Sequence, residues 1–187
     1  MKVLSKALLM MLLIISYTMA ADAQETLLRE LITKSVTLLQ QGECSEAAKV
    51  AEKALKVAEK TFGTNHPGVA ASLNILARLY RFQGRYAEAE PLYKRALKVM
   101  GKALGSEHPH VAASLNNLAR FYRFQGRYAE AEPLYKRSLK ICEKVLGKNH
   151  PNVATVLENM AKCSREMGKK DEAEELEARA KKIQSKQ

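Results

Sequence analysis

The sequence lacks the short motifs on which most enzyme chemistry depends. It has no Gly-x-x-x-x-Gly-Lys-Ser/Thr phosphate loop, no Gly-x-Ser-x-Gly turn and no His-Glu-x-x-His pair. The acidic pairs Glu88/Glu90 and Glu130/Glu132 stand two residues apart on a helix, so the members of each pair face different ways and cannot share a proton. We expect them to be solvated and to pair with the lysines four residues beyond Glu90 and Glu132. We therefore predict that the chain is not an enzyme and needs no cofactor.

Long apolar runs are absent outside the N-terminus. Residues 1–23 contain two early lysines, an apolar run over residues 7–15 and the small residues Ala21 and Ala23, an order typical of a cleavable secretory signal. The run is shorter than the roughly 20 residues that cross a bilayer. We predict that this signal peptide is removed and that the chain is exported, either to a periplasm or out of the cell. The alternative is a chain held at the membrane by an uncleaved N-terminal segment.

Acidic residues are few relative to basic ones. The chain has 20 Asp and Glu against 31 Lys and Arg, a net charge of +11, which indicates a partner or surface that is acidic. Its 47% of hydrophobic residues excludes a disordered chain. Nucleic acid fits the charge alone, but the basic positions are not interleaved with base-stacking residues and the predicted export argues against it.

The chain repeats itself with a period of 42 residues. Residues 66–107 and 108–149 are identical at 32 of 42 positions, and glycines keep the same spacing to the end of the chain. A fixed period of this length is typical of stacked arrays, because one small unit cannot bury its apolar face without a neighbour. We infer about four units.

Each unit has the pattern of two helices. In residues 66–105 the first helix is predicted from Pro67 to about Phe82 and the second from Arg85 to about Leu104. Proline is favoured at the first helical position, and the Gln-Gly and Gly links are expected to end the two helices. The short link predicts that the two helices are antiparallel.

The first helix of each unit has two apolar faces with a polar stripe between them. In the second unit the stripe consists of Asn74, Arg78 and Arg81, spaced i, i+4 and i+7. A helix packed on both apolar faces leaves such a stripe open. The same positions hold Ile32, Val36 and Leu39 in unit 1, Asn116, Arg120 and Arg123 in unit 3, and Glu158, Lys162 and Arg165 in unit 4.

Cysteines and histidines also follow the repeat. The three cysteines occupy positions that hold Tyr, Met, Leu or Phe in other units, so we expect apolar packing, with a disulfide or metal site as the alternative: Cys44, Cys142 and Cys163. Histidines that precede each proline recur one unit apart, roughly 10–20 Å, too far to share a zinc ion. We predict that they organise the turn before the helix and that no metal is bound. Only His108 and His110 could chelate together.

The run from His108 to Leu139 resembles the tetratricopeptide repeats, in particular the 42-residue variety of kinesin light chains. Ala77, Ala89 and Ala96 match the positions at which that family brings helices close together. The resemblance covers about residues 24–184 and implies an all-α, right-handed superhelical solenoid of antiparallel helix pairs. The first helices would line a concave surface that binds peptide segments. The units are 24–63 (atypical), 66–105, 108–147 and 150–184 (a polar cap).

The basic stripe is the predicted binding surface for an extended acidic or C-terminal carboxylate segment. Arginine grips carboxylates with paired hydrogen bonds, and asparagine can donate to and accept from a peptide backbone. The predicted peptide-binding residues are Asn74, Arg78, Arg81, Asn116, Arg120, Arg123, Lys162 and Arg165. The alternative for them is solvated charges, or charges paired with acids on neighbouring helices.

Apolar anchoring is a second requirement, because exposed ion pairs contribute only about 0.2–1 kcal/mol each. Candidate anchors are Ile32, Val36, Leu39, Phe82 and Phe124. For the two phenylalanines, packing in the core is the favoured interpretation. The unit-1 residues could equally be buried or form a patch for a partner or a second copy of the chain. Two rival functions therefore stay open, a self-associating structural component and a binder of polyanions such as acidic glycans or lipid head groups.

Overall fold

The computed structural model describes the backbone of residues 2–186 and the side chains of residues 19 and 22–186. Within that part of the chain eight α-helices follow one another and no strand occurs, which confirms the all-α class. The helices are α1 (Lys2–Gln40), α2 (Cys44–Phe62), α3 (Pro67–Phe82), α4 (Tyr86–Leu104), α5 (Pro109–Phe124), α6 (Tyr128–Leu146), α7 (Pro151–Glu166) and α8 (Lys170–Gln184).

The predicted signal peptide, residues 1–23, has most of its side chains outside the described residues, so it stays a prediction. Where side chains are described, no helix is long and apolar enough to cross a membrane.

Histidine and proline together begin α3, α5 and α7. In each case the proline is the first helical residue and the preceding histidine is the N-cap, in extended conformation. The histidine Nδ1 accepts the backbone N–H two residues on, at 3.1 Å in all three helices. One of the unpaired N–H groups at each helix start is thereby satisfied. The prediction that these histidines organise the turn before the helix is confirmed.

The helix pairs stack into a solenoid. Each odd-numbered helix packs against its own partner, against the preceding even-numbered helix and against the next odd-numbered one, whereas α2, α4, α6 and α8 stay further apart along the described chain. The array therefore curves toward α1, α3, α5 and α7. Ala77, Ala89 and Ala96 are fully buried where helices approach each other, as their small size requires.

Long polar side chains link the units on the other side of the array. Arg95 pairs with Glu59, and Arg179 with Glu143. Glu90 pairs with Lys94, as predicted. It is half-buried rather than fully solvated, and it also accepts from Tyr122 and Arg127 of the next unit. These two partners do not follow from a local pattern, because they are more than 30 residues away in sequence.

The cysteines behave as packing residues. All three are free thiols, with Cys142 and Cys163 buried and Cys44 half-buried. Burial raises the pKa of the Cys142 and Cys163 thiols, with smaller contributions from nearby glutamates. The predicted apolar role is thus confirmed, and these thiols are held in their less reactive form.

Candidate functional site

The four odd-numbered helices line one continuous surface, here called the groove. It has three sections, each formed by facing sides of two successive odd-numbered helices: the first section lies between α1 and α3, the central section between α3 and α5, and the last section between α5 and α7. The sections differ in chemistry because the repeat positions that line them carry different residues.

The first section is apolar. Ile32 and Leu39 are half-buried and pack against the protein's own core, Leu39 in the same cluster as Ile75. Val36 is also half-buried. A patch for a second copy of the chain through these residues stays a prediction. Their predicted role as anchors for a ligand stays a prediction.

The central section contains a cavity of about 120 Å³. That volume accommodates a carboxylate group with a few water molecules. Three basic side chains face it, and none of them forms an ion pair with any acid of the described chain. The lining residues are Asn74, Ile75, Arg78, Arg81, Tyr93, Asn117, Arg120, Phe121 and Phe124.

Several polar atoms at this cavity have no hydrogen-bond partner. Asn74 Oδ1, Arg78 Nε and Arg120 Nε are each buried from solvent and unpartnered within the described residues. A buried polar atom without a partner costs about 1–3 kcal/mol, and the great majority of such atoms in proteins are satisfied. The cavity is therefore lined by donors and an acceptor that a ligand or ordered water would satisfy.

Arg81 is held between two aromatic rings. Its guanidinium carbon lies 4.1 Å from the centroid of Phe82 and 4.3 Å from that of Phe124, within the range of cation–π attraction. The two rings are 53% and 45% exposed. The interpretation that favoured core packing for both phenylalanines is wrong, because each stands at the last helical residue, beyond the reach of the next helix pair.

The positive charges of the central section are close enough to perturb one another. Burial is the main cause that lowers the pKa of Arg81, and the charge of Arg120 lowers it further. Burial raises the pKa of Tyr93 beneath them, whereas the nearby charges of Arg81, Arg78 and Arg120 oppose that rise. An anion in the cavity would relieve this mutual repulsion.

Two predicted groove residues of the last section are paired within the chain. Asn159 Nδ2 donates to Asn116 Oδ1 at 3.1 Å, and Arg123, 8% exposed, forms an ion pair with Glu166. The expectation that unit 3 leaves Asn116 and Arg123 open is therefore wrong. The physical reason is that α7 supplies partners for both side chains.

The remaining predicted residues lie nearer the end of the array. Arg165 is half-exposed and pairs with Glu177 at 2.8 Å. Lys162 is exposed on α7. A role for either in peptide binding stays a prediction.

Four lining residues were missed by the sequence analysis, namely Ile75, Tyr93, Asn117 and Phe121. Asn117 and Phe121 each follow a residue of the predicted stripe. One residue is a rotation of 100° on a helix, so these side chains lie on the side of α5 that faces α3. The spacing of the stripe could have indicated these residues, because each section of the groove is formed by opposite sides of two successive helices. Among the described residues no cluster of His, Cys, Asp and Glu could hold a metal ion.

Comparisons with known proteins agree with this architecture. The sequence model of the tetratricopeptide repeat matches residues 31–102, 77–139 and 110–186. The chain belongs to the tetratricopeptide repeat family. Tetratricopeptide repeats generally mediate protein–protein interaction or assembly, and their fold is generally a scaffold without catalysis. None of the curated proteins that were compared matches the chain.

Solved tetratricopeptide structures resemble the whole array. One from Podosopora anserina, described as "kinesin light chain nearly identical TPR-like repeats", is 31% identical with a TM-score of 0.67 and covers 85% of this chain and 75% of that one. Pseudomonas aeruginosa pilF is 25% identical with a TM-score of 0.65 over 88% of this chain and 64% of that one. BtubC (BKLC) from P. vanneervenii shares the fold, with 22% identity and a TM-score of 0.76 over 93% and 73% of the two chains.

Proposed function

We propose that this tetratricopeptide protein is an exported interaction module that binds an extended acidic segment of another protein in the central section of the groove. Arg78, Arg81 and Arg120 would receive carboxylates. Asn74 and Asn117 would hydrogen-bond to the backbone of the bound segment, since an amide side chain can both donate and accept. The family's general role in protein interaction supports the class of partner.

The observation that carries the proposal is the set of unpartnered atoms at one cavity. Arg78 and Arg120 line the same cavity, the Nε atom of each is buried without a partner, and no acid of the described chain neutralises either arginine. Hydrogen bonds from a guanidinium to a carboxylate are roughly twice as strong as neutral ones. A carboxylate there would pair with both guanidinium groups and relieve the repulsion between Arg81 and Arg120.

Apolar contacts would supply the rest of the affinity. Micromolar binding requires about −8 kcal/mol, more than three partly exposed arginines provide at about 0.2–1 kcal/mol each. The exposed rings of Phe82 and Phe124 border the cavity, and Ile75 lines it. The ligand is therefore expected to combine carboxylates with apolar side chains.

The direct test uses fluorescence anisotropy with fluorescein-labelled hexaglutamate. We expect the native chain to bind it, and the double variant Arg78→Ala, Arg120→Ala to bind at least tenfold more weakly. Arg137→Ala and Lys140→Ala together form the matched control, since both side chains are exposed on α6 outside the groove and their loss removes the same charge. If the control pair weakens binding of the probe equally, net charge alone attracts the probe, and the proposal is contradicted.

A polyanion is the second candidate ligand, because the same three unpaired arginines would attract one. The salt dependence of binding and its dependence on peptide sequence distinguish a polyanion from a protein segment. A polyanion is expected to bind with a steep salt dependence and no preference among peptides of equal charge, whereas a protein segment would bind according to the order of its apolar and acidic residues.

Export is also proposed, on the pattern of residues 1–23 alone. The intact mass of the protein recovered from its producing cells tests it. A mass that lacks those residues agrees with export through a cleaved signal, and a full-length mass contradicts cleavage.

A further inference from the structure

Position 166 distinguishes the last section of the groove from the central one. Glu166 ends α7 at the repeat position that holds Phe82 on α3 and Phe124 on α5. In the central section the aromatic Phe124 faces Arg81. In the last section the carboxylate of Glu166 faces Arg123, which stands in register with Arg81, and the two form an ion pair.

Buried polar atoms without a partner occur near Arg123, as they do at the central cavity. Arg123 Nε is buried and has no partner in the described chain, although another nitrogen of the same guanidinium donates to Glu166. The hydroxyl of Tyr135, in register with Tyr93, is also buried and unpartnered. Burial raises the pKa of Tyr135, and the charge of Arg123 opposes the rise, so the two groups are close neighbours.

We propose that Glu166 is an internal carboxylate that occupies a second anion subsite, built from Arg123 and Tyr135, and so confines acidic ligands to the central section. The inference rests on the proposed function of that section. Glu166 thereby limits the number of carboxylates that the groove accepts. Its side chain is 41% exposed, against 9% for that of Arg123, so a solvent-side ligand can replace the carboxylate without moving the arginine.

The two arginines share one aromatic neighbour. The guanidinium carbon of Arg81 lies 4.3 Å from the centroid of Phe124, and that of Arg123 lies 4.5 Å from the same centroid. The two subsites are therefore neighbours along the groove, and an acidic segment bound at Arg81 can also reach Arg123 once Glu166 no longer pairs with it.

The test measures the binding of labelled octaglutamate to the full chain. We expect Glu166→Gln to bind it about tenfold more tightly than the native chain, as one more charge-assisted contact would give. Adding Arg123→Ala to Glu166→Gln should cancel the gain. Glu175→Gln is the matched control, because Glu175 is exposed on α8 and its loss changes the net charge equally.

The outcomes separate this inference from the proposed function. If the native chain binds octaglutamate and Glu166→Gln adds nothing beyond the Glu175→Gln control, the inference is overturned while the central site stands. If neither the native chain nor Glu166→Gln binds, both fail. A gain that persists without Arg123 would also overturn the inference, because the freed subsite would not be the cause. Thermal unfolding of each variant shows that the folded chain is being compared.

Discussion

Whether an arginine in the groove is free to bind a ligand depends on the residue that faces it from the next unit. Arg81 and Arg123 are in register, and both guanidinium carbons lie over the ring of Phe124, at 4.3 Å and 4.5 Å from its centroid. Arg81 nevertheless keeps an unneutralised charge, whereas Arg123 is also paired with Glu166. A phenylalanine holds the guanidinium in place without cancelling its charge. A difference of one residue at the same repeat position thus leaves one arginine without an acidic partner and the other in an ion pair.

Glu90 offers a test of electrostatics at the same scale. Its carboxylate receives Arg127 Nη1 at 2.6 Å, Lys94 Nζ at 2.7 Å and the Tyr122 hydroxyl at 3.1 Å. The hydrogen bond from Arg127 is the largest cause that lowers the pKa of Glu90, from 4.5 to about 2. Because the folded value lies below the unfolded one, the stabilisation is present above about pH 4.5 and is lost as the pH falls toward 2.

We predict that Glu90→Gln lowers the free energy of unfolding by about 1–2 kcal/mol at pH 7, because charge-assisted hydrogen bonds between units weaken. The difference from the native chain should shrink as the pH falls from 4.5 toward 2. Urea unfolding across this pH range measures it. Glu174→Gln, on an exposed residue of α8, is the control. An equal deficit at pH 7 and pH 2 would contradict the electrostatic explanation.

The helices are bounded by residues with special backbone properties. Gly84 follows α3 with a φ of 73°, its N–H bonds to the carbonyl of Arg81 at 3.1 Å, and the N–H of Arg85 bonds to that of Tyr80 at 2.8 Å. This is a Schellman end, which requires a left-handed residue. Gly101 contrasts with it, because it lies inside α4 with open space where a Cβ would stand.

Two glycine-to-alanine variants should therefore change stability in opposite directions. Gly84→Ala is expected to lower the free energy of unfolding by about 1–2 kcal/mol, the cost of a left-handed alanine. Gly101→Ala is expected to raise it by about 0.5–1 kcal/mol, because alanine loses less conformational freedom in a helix. Chemical denaturation measures both. Changes of the same sign would show that the helix boundaries are assigned wrongly.

The helices were predictable from the sequence because their signals are local. The expected first helix, Pro67 to Phe82, agrees with α3, and the expected second helix begins one residue before α4. The partners of the groove residues were not predictable in this way. Asn116 and Arg123 each meet a side chain 43 residues away, Asn159 and Glu166, and the choice between an open and a paired charge depends on how the units stack.

At the scale of the whole molecule, a duplicated unit produces a groove that is not uniform. The terminal units diverge from the two central ones, so the groove is apolar at α1, cationic between α3 and α5, and internally paired between α5 and α7. Within the described residues each unit contacts only its neighbours, as in other solenoids. The stacking therefore places the unpaired charges at the centre of the array.

The central claim is that Arg78 and Arg120 receive a carboxylate. A titration of the full chain with hexaglutamate, followed by nuclear magnetic resonance of the arginine Nε–H groups, observes both guanidinium groups directly. We predict that the signals of Arg78 and Arg120 shift with a common saturation curve, while that of Arg137 on the outer surface stays in place. Equal shifts at Arg137, or no shift at the two groove arginines, would contradict the account.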